Sequence, residues 1–153
     1  RAVYLDPAFD VSDSAQALLE GISERGVEAK EQAEAAIEVL ELTGREAEQR
    51  VRRAQRGAER DELLAVLEEL EWWYRDVVVL AAGAERAVVH VDRLDELRED
   101  ATRERLQAAE RASEIVRAAW RDAEELQLSV GLALEALLIQ LRRELAGAQV
   151  FAR

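Results

Sequence analysis

From Leu70 to Ala81 apolar side chains recur on two sides of what the spacing predicts to be one helix. At about 100° per residue, Leu70, Trp73, Tyr74, Val77, Val78, Leu80 and Ala81 share one wide face. Trp72 and Val79 fall opposite it, in a stripe that Ala65 extends by a seven-residue step and that Arg75 and Asp76 flank. A surface helix of a monomer needs a single apolar face, so the second stripe predicts a helix that is central in a bundle or packs against another molecule. The wide face is expected in the core, with Trp73, Tyr74 and Val77 at its centre. Trp72, Arg75, Asp76 and Val79 are the candidate interface residues.

The same period organises the rest of the chain. Arg1 to Asp10 reads as a lead-in segment or the end of an upstream linker, in which Pro7 blocks an early helix. Residues 11–153 are expected to form one helical domain. Ser12-Asp13-Ser14 offers an N-cap before Ala15, Leu18 and Leu19, and the helix is expected to break or bend at Gly21 and Gly26. Val27 to Leu42 reads as a second helix with Ala33, Ala36, Ile37 and Leu40 on one face and Gly44 as its C-cap. A long helix then runs from the Arg-rich stretch Arg45 to Arg60 through Leu63, Leu64, Val66, Leu67 and Leu70 to Gly83. Val88-Val89-His90-Val91 reads as a buried crossing loop, and Asp92 caps a short helix from Leu94 to Ala101. Thr102 is placed to cap the next helix, whose inward face is Leu106, Ala109, Ser113, Val116, Trp120 and Ala123. The last helix spans about Ser129 to Ala146, with Val130, Leu134, Leu137, Leu138, Leu141 and Leu145 inward. The pattern predicts an all-α bundle of five or six helices.

Composition narrows the chemistry. The 153 residues suffice for one domain with a real core. Apolar residues make up 49% and charged residues 35%, with one Pro and 5% aromatics, a profile suited to long helices and poor for sheets. The formal net charge of −12 argues against a non-specific nucleic-acid binder, because neutralising phosphates needs a cationic surface. Without Cys there is no disulfide framework, thiolate metal site or cysteine nucleophile. The longest apolar run, Val77 to Ala84, is far short of the ~18 residues of a membrane span, and the first residues have no signal-peptide core. A cytoplasmic home is expected, with no direct nucleic-acid partner, no membrane and no small-molecule partner. The chain has no Met, which implies a piece of a longer protein that begins upstream.

Three motifs, taken in order, point to a family. Trp73-Tyr74-Arg75-Asp76 is followed by Gly83-Ala84, then Val88-Val89-His90-Val91-Asp92-Arg93, then Leu132-Ala133-Leu134-Glu135-Ala136-Leu137-Leu138. In that order and spacing the chain resembles the C-terminal, collar domain of the delta prime subunit of the clamp loader of bacterial DNA polymerase III, over roughly its last two-thirds. It departs from the family at the turn into the last helix, where Gln127-Leu128-Ser129-Val130-Gly131 replaces an Asn-containing turn and Ser129 is the available cap. The resemblance implies a subunit-assembly domain without catalysis or cofactor, whose partners are the clamp-loader ATPase subunits and the delta subunit. It also implies an ATPase-like module upstream and a parent holoenzyme that is a DNA-directed DNA polymerase. The equivalent domain of another clamp-loader subunit and a free-standing helical adaptor unrelated to replication stay open as alternatives.

Individual residues offer little else. Arg75 has Glu71 four residues before it in the favourable orientation, whereas Asp76 has no ion-pair partner on its own helix. A pair with Arg93 or Arg142 is expected for Asp76, since a carboxylate so close to two apolar stripes is partly desolvated. His90 is the single histidine, with no Glu three residues before it, which removes the di-metal bundle and leaves a loop or core-edge role. The acidic runs Glu68-Glu69-Glu71 and Asp95-Glu96-Glu99-Asp100 read as solvated helical faces. Six arginines between Arg45 and Arg60 form a basic island interspersed with Glu46, Glu48 and Glu59. A nucleic-acid role is one reading of the island, and an exposed Arg/Glu-laced helix or a contact to an acidic partner is the expected one. No phosphate-binding loop and no Gly-x-Ser-x-Gly elbow is present.

Overall fold

A computed structural model describes residues 1–40, 43–125 and 129–150. They form α1 (Ala2–Leu5), α2 (Val11–Val39), α3 (Gly44–Ala81), α4 (Leu94–Asp100), α5 (Arg103–Glu125) and α6 (Val130–Val150), with 3-10 turns at Glu85–Ala87 and Val91–Arg93. No strand occurs among the described residues, so the all-α bundle holds. None of these helices is long and apolar enough to cross a membrane.

The start of α2 is set by Asp10, whose extended backbone leaves its carboxylate free to accept from the Asp13 amide at 2.9 Å. The expected cap at Ser12–Ser14 lies inside the first turn, where the backbone is already helical. Nor do the two glycines interrupt α2. Gly26 faces α3, and a β-carbon there would sit 2.5–2.9 Å from atoms of the Glu59 side chain. Close helix approach, not a break, explains this glycine. Gly44 has φ +73° and opens α3 instead of capping α2; the expected end of α2 at Leu42 lies outside the described residues. At the other end of α3 the expectation holds. Gly83, at φ +80°, donates to the Leu80 carbonyl at 2.9 Å, and Ala84 donates to that of Val79 at 3.0 Å. These two bonds are a Schellman cap, which the left-handed conformation of glycine permits.

The core gathers Ile22 from α2, Leu63, Leu67, Trp73, Tyr74 and Val77 from α3, Leu97 from α4, Ala108, Ala109, Ala112 and Val116 from α5, and Leu134, Leu137, Leu138, Leu141 and Leu145 from α6. The inward set expected for α6 is buried, apart from the half-buried Val130. Ala133 donates to the Ser129 carbonyl at the start of that helix, while Gln127 and Leu128 lie outside the described residues. On α5, small residues let the helix approach closely. Ala108 and Ala112 are buried beside Ala109, Ser113 and Val116, whereas Leu106, Trp120 and Ala123 are only half covered.

The lead-in segment joins this core. Val3 and Tyr4 of α1 are each 7% exposed, and α1 packs on α6. Pro7 follows the helical turn and does not prevent it. Asp100, buried at the end of α4, ties the segment down: it accepts from Arg1 Nε at 2.8 Å, from Arg105 Nη1 at 2.9 Å and from the Tyr4 hydroxyl. Arg142 of α6 donates to the carbonyls of Pro7 and Phe9 and lies over the Phe9 ring.

Beyond Gly26 the α2–α3 hairpin leaves the core. Among the described residues from Val27 to Glu62 none is fully buried. The two helices touch through half-buried Ala29, Ala33 and Ile37 on α2 and Val51, Ala54 and Ala58 on α3. The result is a two-helix arm that projects by about 20 Å, at 1.5 Å per residue.

Candidate functional site

The C-terminal half of α3 brings the candidate residues together, but in two different roles. The core motif is buried throughout: Trp73, Tyr74 and Val77, with Leu134, Leu137 and Leu138 from α6. Asp76 joins it. At 0% exposure Asp76 is not a rim residue, which corrects its assignment to the interface.

The partners of Asp76 are also not the expected ones. Its carboxylate accepts from the Val89 amide at 3.0 Å, the His90 amide at 2.9 Å, the His90 Nδ1 at 2.8 Å and the adjacent Arg75 Nη1 at 3.0 Å. Arg93 instead lies over the Trp73 ring at 4.4 Å and pairs with Glu96. Arg142 is engaged at Pro7 and Phe9. A fully buried carboxylate needs several donors, and the backbone of a crossing loop supplies them where one basic side chain would not. His90 completes the clasp. Its Nε2 meets Glu69 at 3.2 Å, and its ring lies 5.9 Å from that of Trp73. Of the crossing loop itself, Val88 is buried, but Val89 and Val91 are 51% and 69% exposed.

The clasp shifts both titrating groups. Burial by itself pushes the Asp76 acid up, yet the amides of His90 and Val89 and the His90 ring outweigh it and hold its pKa below the usual carboxylate value. Burial likewise opposes the charged form of His90, and the hydrogen bonds to Asp76 and Glu69 outweigh that and raise it. The His90 contribution is therefore fully present below its ordinary value of 6.5 and lost as pH rises through the raised value. The Asp76 contribution is present above 3.8 and lost as pH falls through the lowered value. His90→Gln should thus lower the melting temperature more at about pH 5.5 than at about pH 8.5. Equal losses at the two pH values would remove the charged clasp from this account.

Trp72 has the second role. It is 37% exposed and forms, with Trp120, a groove of about 390 Å³ between α3 and α5, lined also by Glu68, Glu71, Arg75, Arg117 and Arg121. Arg75 stacks over the Trp72 ring at 5.1 Å while donating to the Ala87 carbonyl at 3.1 Å. Glu71 pairs across the groove with Arg117 at 2.7 Å instead of along its own helix with Arg75. Val79 departs from the exposed stripe. It is half-buried against the core, because the chain reverses at Gly83 and the turn Glu85–Ala87 packs back on α3. The α5 wall of the groove does not follow from periodicity, which assigns Trp120 to the inward face and gives Arg117 and Arg121 no surface role. The signal that could have found them is the spacing from Arg117, three residues before Trp120 and four before Arg121. No cluster of three or more His, Asp or Glu side chains among the described residues is placed to hold a metal ion.

No protein-family model, curated protein or solved structure matches this chain. Two indole rings, one of them over a third exposed, sit in a frame of arginines and glutamates. An aromatic centre with a charged rim is the anatomy of a protein contact surface.

Proposed function

We propose that this chain is a subunit-assembly domain of a bacterial replication clamp loader, equivalent to the collar domain of the delta prime subunit. The observation that carries the reading is the Trp72–Trp120 groove on a helix whose opposite face is core. The ordered motifs around Trp73-Tyr74-Arg75-Asp76, Gly83-Ala84 and Leu134 to Leu138 support it, as does the all-α bundle in which those motifs pack. In this role the domain performs no catalysis and binds no cofactor in the cytoplasm. It holds the clamp-loader ATPase subunits and the delta subunit together through helix faces.

Such a role needs a stable body and a surface its own helices leave open. The clasp on Asp76 and the cluster on Asp100 supply the first by pinning the connecting segments to the helices. The groove supplies the second, since aromatic and arginine side chains dominate binding energy at such centres. The test is reconstitution: the chain mixed with purified clamp-loader ATPase subunits and delta should co-elute with them on a sizing column. Separate elution from every subunit at micromolar concentrations would overturn the assignment.

A further inference from the structure

Most arginines flanking the core are held by acceptors of the chain itself: Arg1, Arg75, Arg93, Arg98, Arg105, Arg111, Arg117 and Arg142 each have one. The arm differs. Arg45, Arg53, Arg56 and Arg60 have no ion pair among the described residues, Arg56 donating only to the Arg52 carbonyl one turn back at 3.2 Å, and Arg52 has only a loose pair with Glu48 at 3.8 Å. At about 100° per residue these five fall within roughly 100° of arc on α3. All five are exposed, and the arc is roughly opposite the seam formed by Val51, Ala54 and Ala58. They make a straight basic edge about 22 Å long.

Exposed Glu46 and Glu48 flank the arc, one beyond Arg53 and the other beyond Arg52, and the other acidic residues of the arm lie elsewhere. Glu59 turns into the seam beside Gly26 and bonds to Gln55. On α2, exposed Glu20, Glu24, Glu28, Glu31 and Glu38 share an arc opposite Ala29, Ala33 and Ile37, so the far edge of the arm is acidic. Two packed helices separate the edges by roughly 20 Å, more than the Debye length of about 8 Å at physiological ionic strength. The net charge of −12 thus averages over surfaces that a ligand meets one at a time.

We propose that the basic edge of the α2–α3 arm binds the phosphate backbone of duplex DNA. The choice between a polyanion and an acidic protein rests on what the edge lacks. Between Arg45 and Arg60 the arc holds, besides arginines, only Gln49, with no exposed large apolar side chain. Protein interfaces have an apolar centre, whereas DNA-binding surfaces are polar and strongly cationic. A rigid row of guanidinium groups fits the stiff polyanion with the densest charge, and phosphate contacts need no sequence readout. The site is separate from the Trp72–Trp120 groove and does not rest on the assembly reading.

The test is fluorescence anisotropy of the whole chain with a labelled DNA duplex of about 20 base pairs, as a function of salt. Four phosphate contacts give a slope of about −3.6 in log affinity against log salt, so binding at about 50 mM salt should weaken about 50-fold by about 150 mM. Arg53→Glu/Arg56→Glu/Arg60→Glu should abolish it. The neutral set Arg53→Gln/Arg56→Gln/Arg60→Gln, which preserves helix propensity, should bring the slope to about −1. Circular dichroism checks that both variants stay folded. No binding at the lower salt, or binding that both variants retain, overturns the proposal. Displacement of the duplex by polyglutamate at equal charge overturns it in favour of an acidic protein partner.

Discussion

Asp76→Ala is expected to destabilise the domain by about 3–5 kcal/mol, the range for breaking a buried charge pair by removing one partner. The side chain is 0% exposed and accepts from two backbone amides, an imidazole and a guanidinium. Removing it strands the Val89 and His90 amides at the edge of the core, and unpaired buried donors cost about 1–3 kcal/mol each. Asp76→Asn keeps one acceptor oxygen and gives up the charge, so its loss should be smaller. Urea unfolding of the three proteins checks the order. A loss below about 1 kcal/mol for Asp76→Ala would mean that the crossing loop is held by other contacts.

Trp73→Ala carries the other large effect. The ring is 6% exposed, covered by Arg93 on its face and neighboured by His90. Loss of its buried area together with the cavity left behind should cost about 3–5 kcal/mol. Trp72→Ala, one residue away, should cost about 1 kcal/mol or less, because its ring lines an open groove. Thermal melts of the pair compare the two sides of one helix directly. Similar losses would show that both tryptophans are structural and would leave α3 without an open face.

The helices themselves are legible in the sequence. The period of α3 and α6 places Trp73, Tyr74, Val77, Leu134, Leu137 and Leu138 in the core, and the end of α3 at Gly83 follows from glycine's access to positive φ. What the sequence does not disclose depends on tertiary partners. A search for the partner of Asp76 among charged side chains passes over backbone amides 13 and 14 residues away, which become donors only when the loop crosses α3. Gly26 reads locally as a breaker, and only the packed hairpin shows that it makes room for Glu59. Val79 lies on the stripe by period, yet the reversal at Gly83 half covers it. The charged edges of the arm emerge only once α2 and α3 are paired, since a net charge sums over both.

For the candidate site, residue spacing reaches Trp72 and Arg75 but not the opposite wall. Trp120 scans as a core position on α5, because a period locates a face and not the neighbour that covers it. The groove arises where α5 ends its close packing on α3, leaving Trp120 beside Trp72 and Arg117 beside Glu71. Assembly through this groove gives Trp72 its role. Its most direct measurement is the affinity of the chain for clamp-loader ATPase subunits by titration calorimetry, before and after Trp72→Glu. The helical spectrum should be unchanged and the affinity weakened by at least about 30-fold, the size of a hot spot of about 2 kcal/mol. A folded Trp72→Glu variant that binds those subunits as tightly as the parent chain would contradict assembly through the groove.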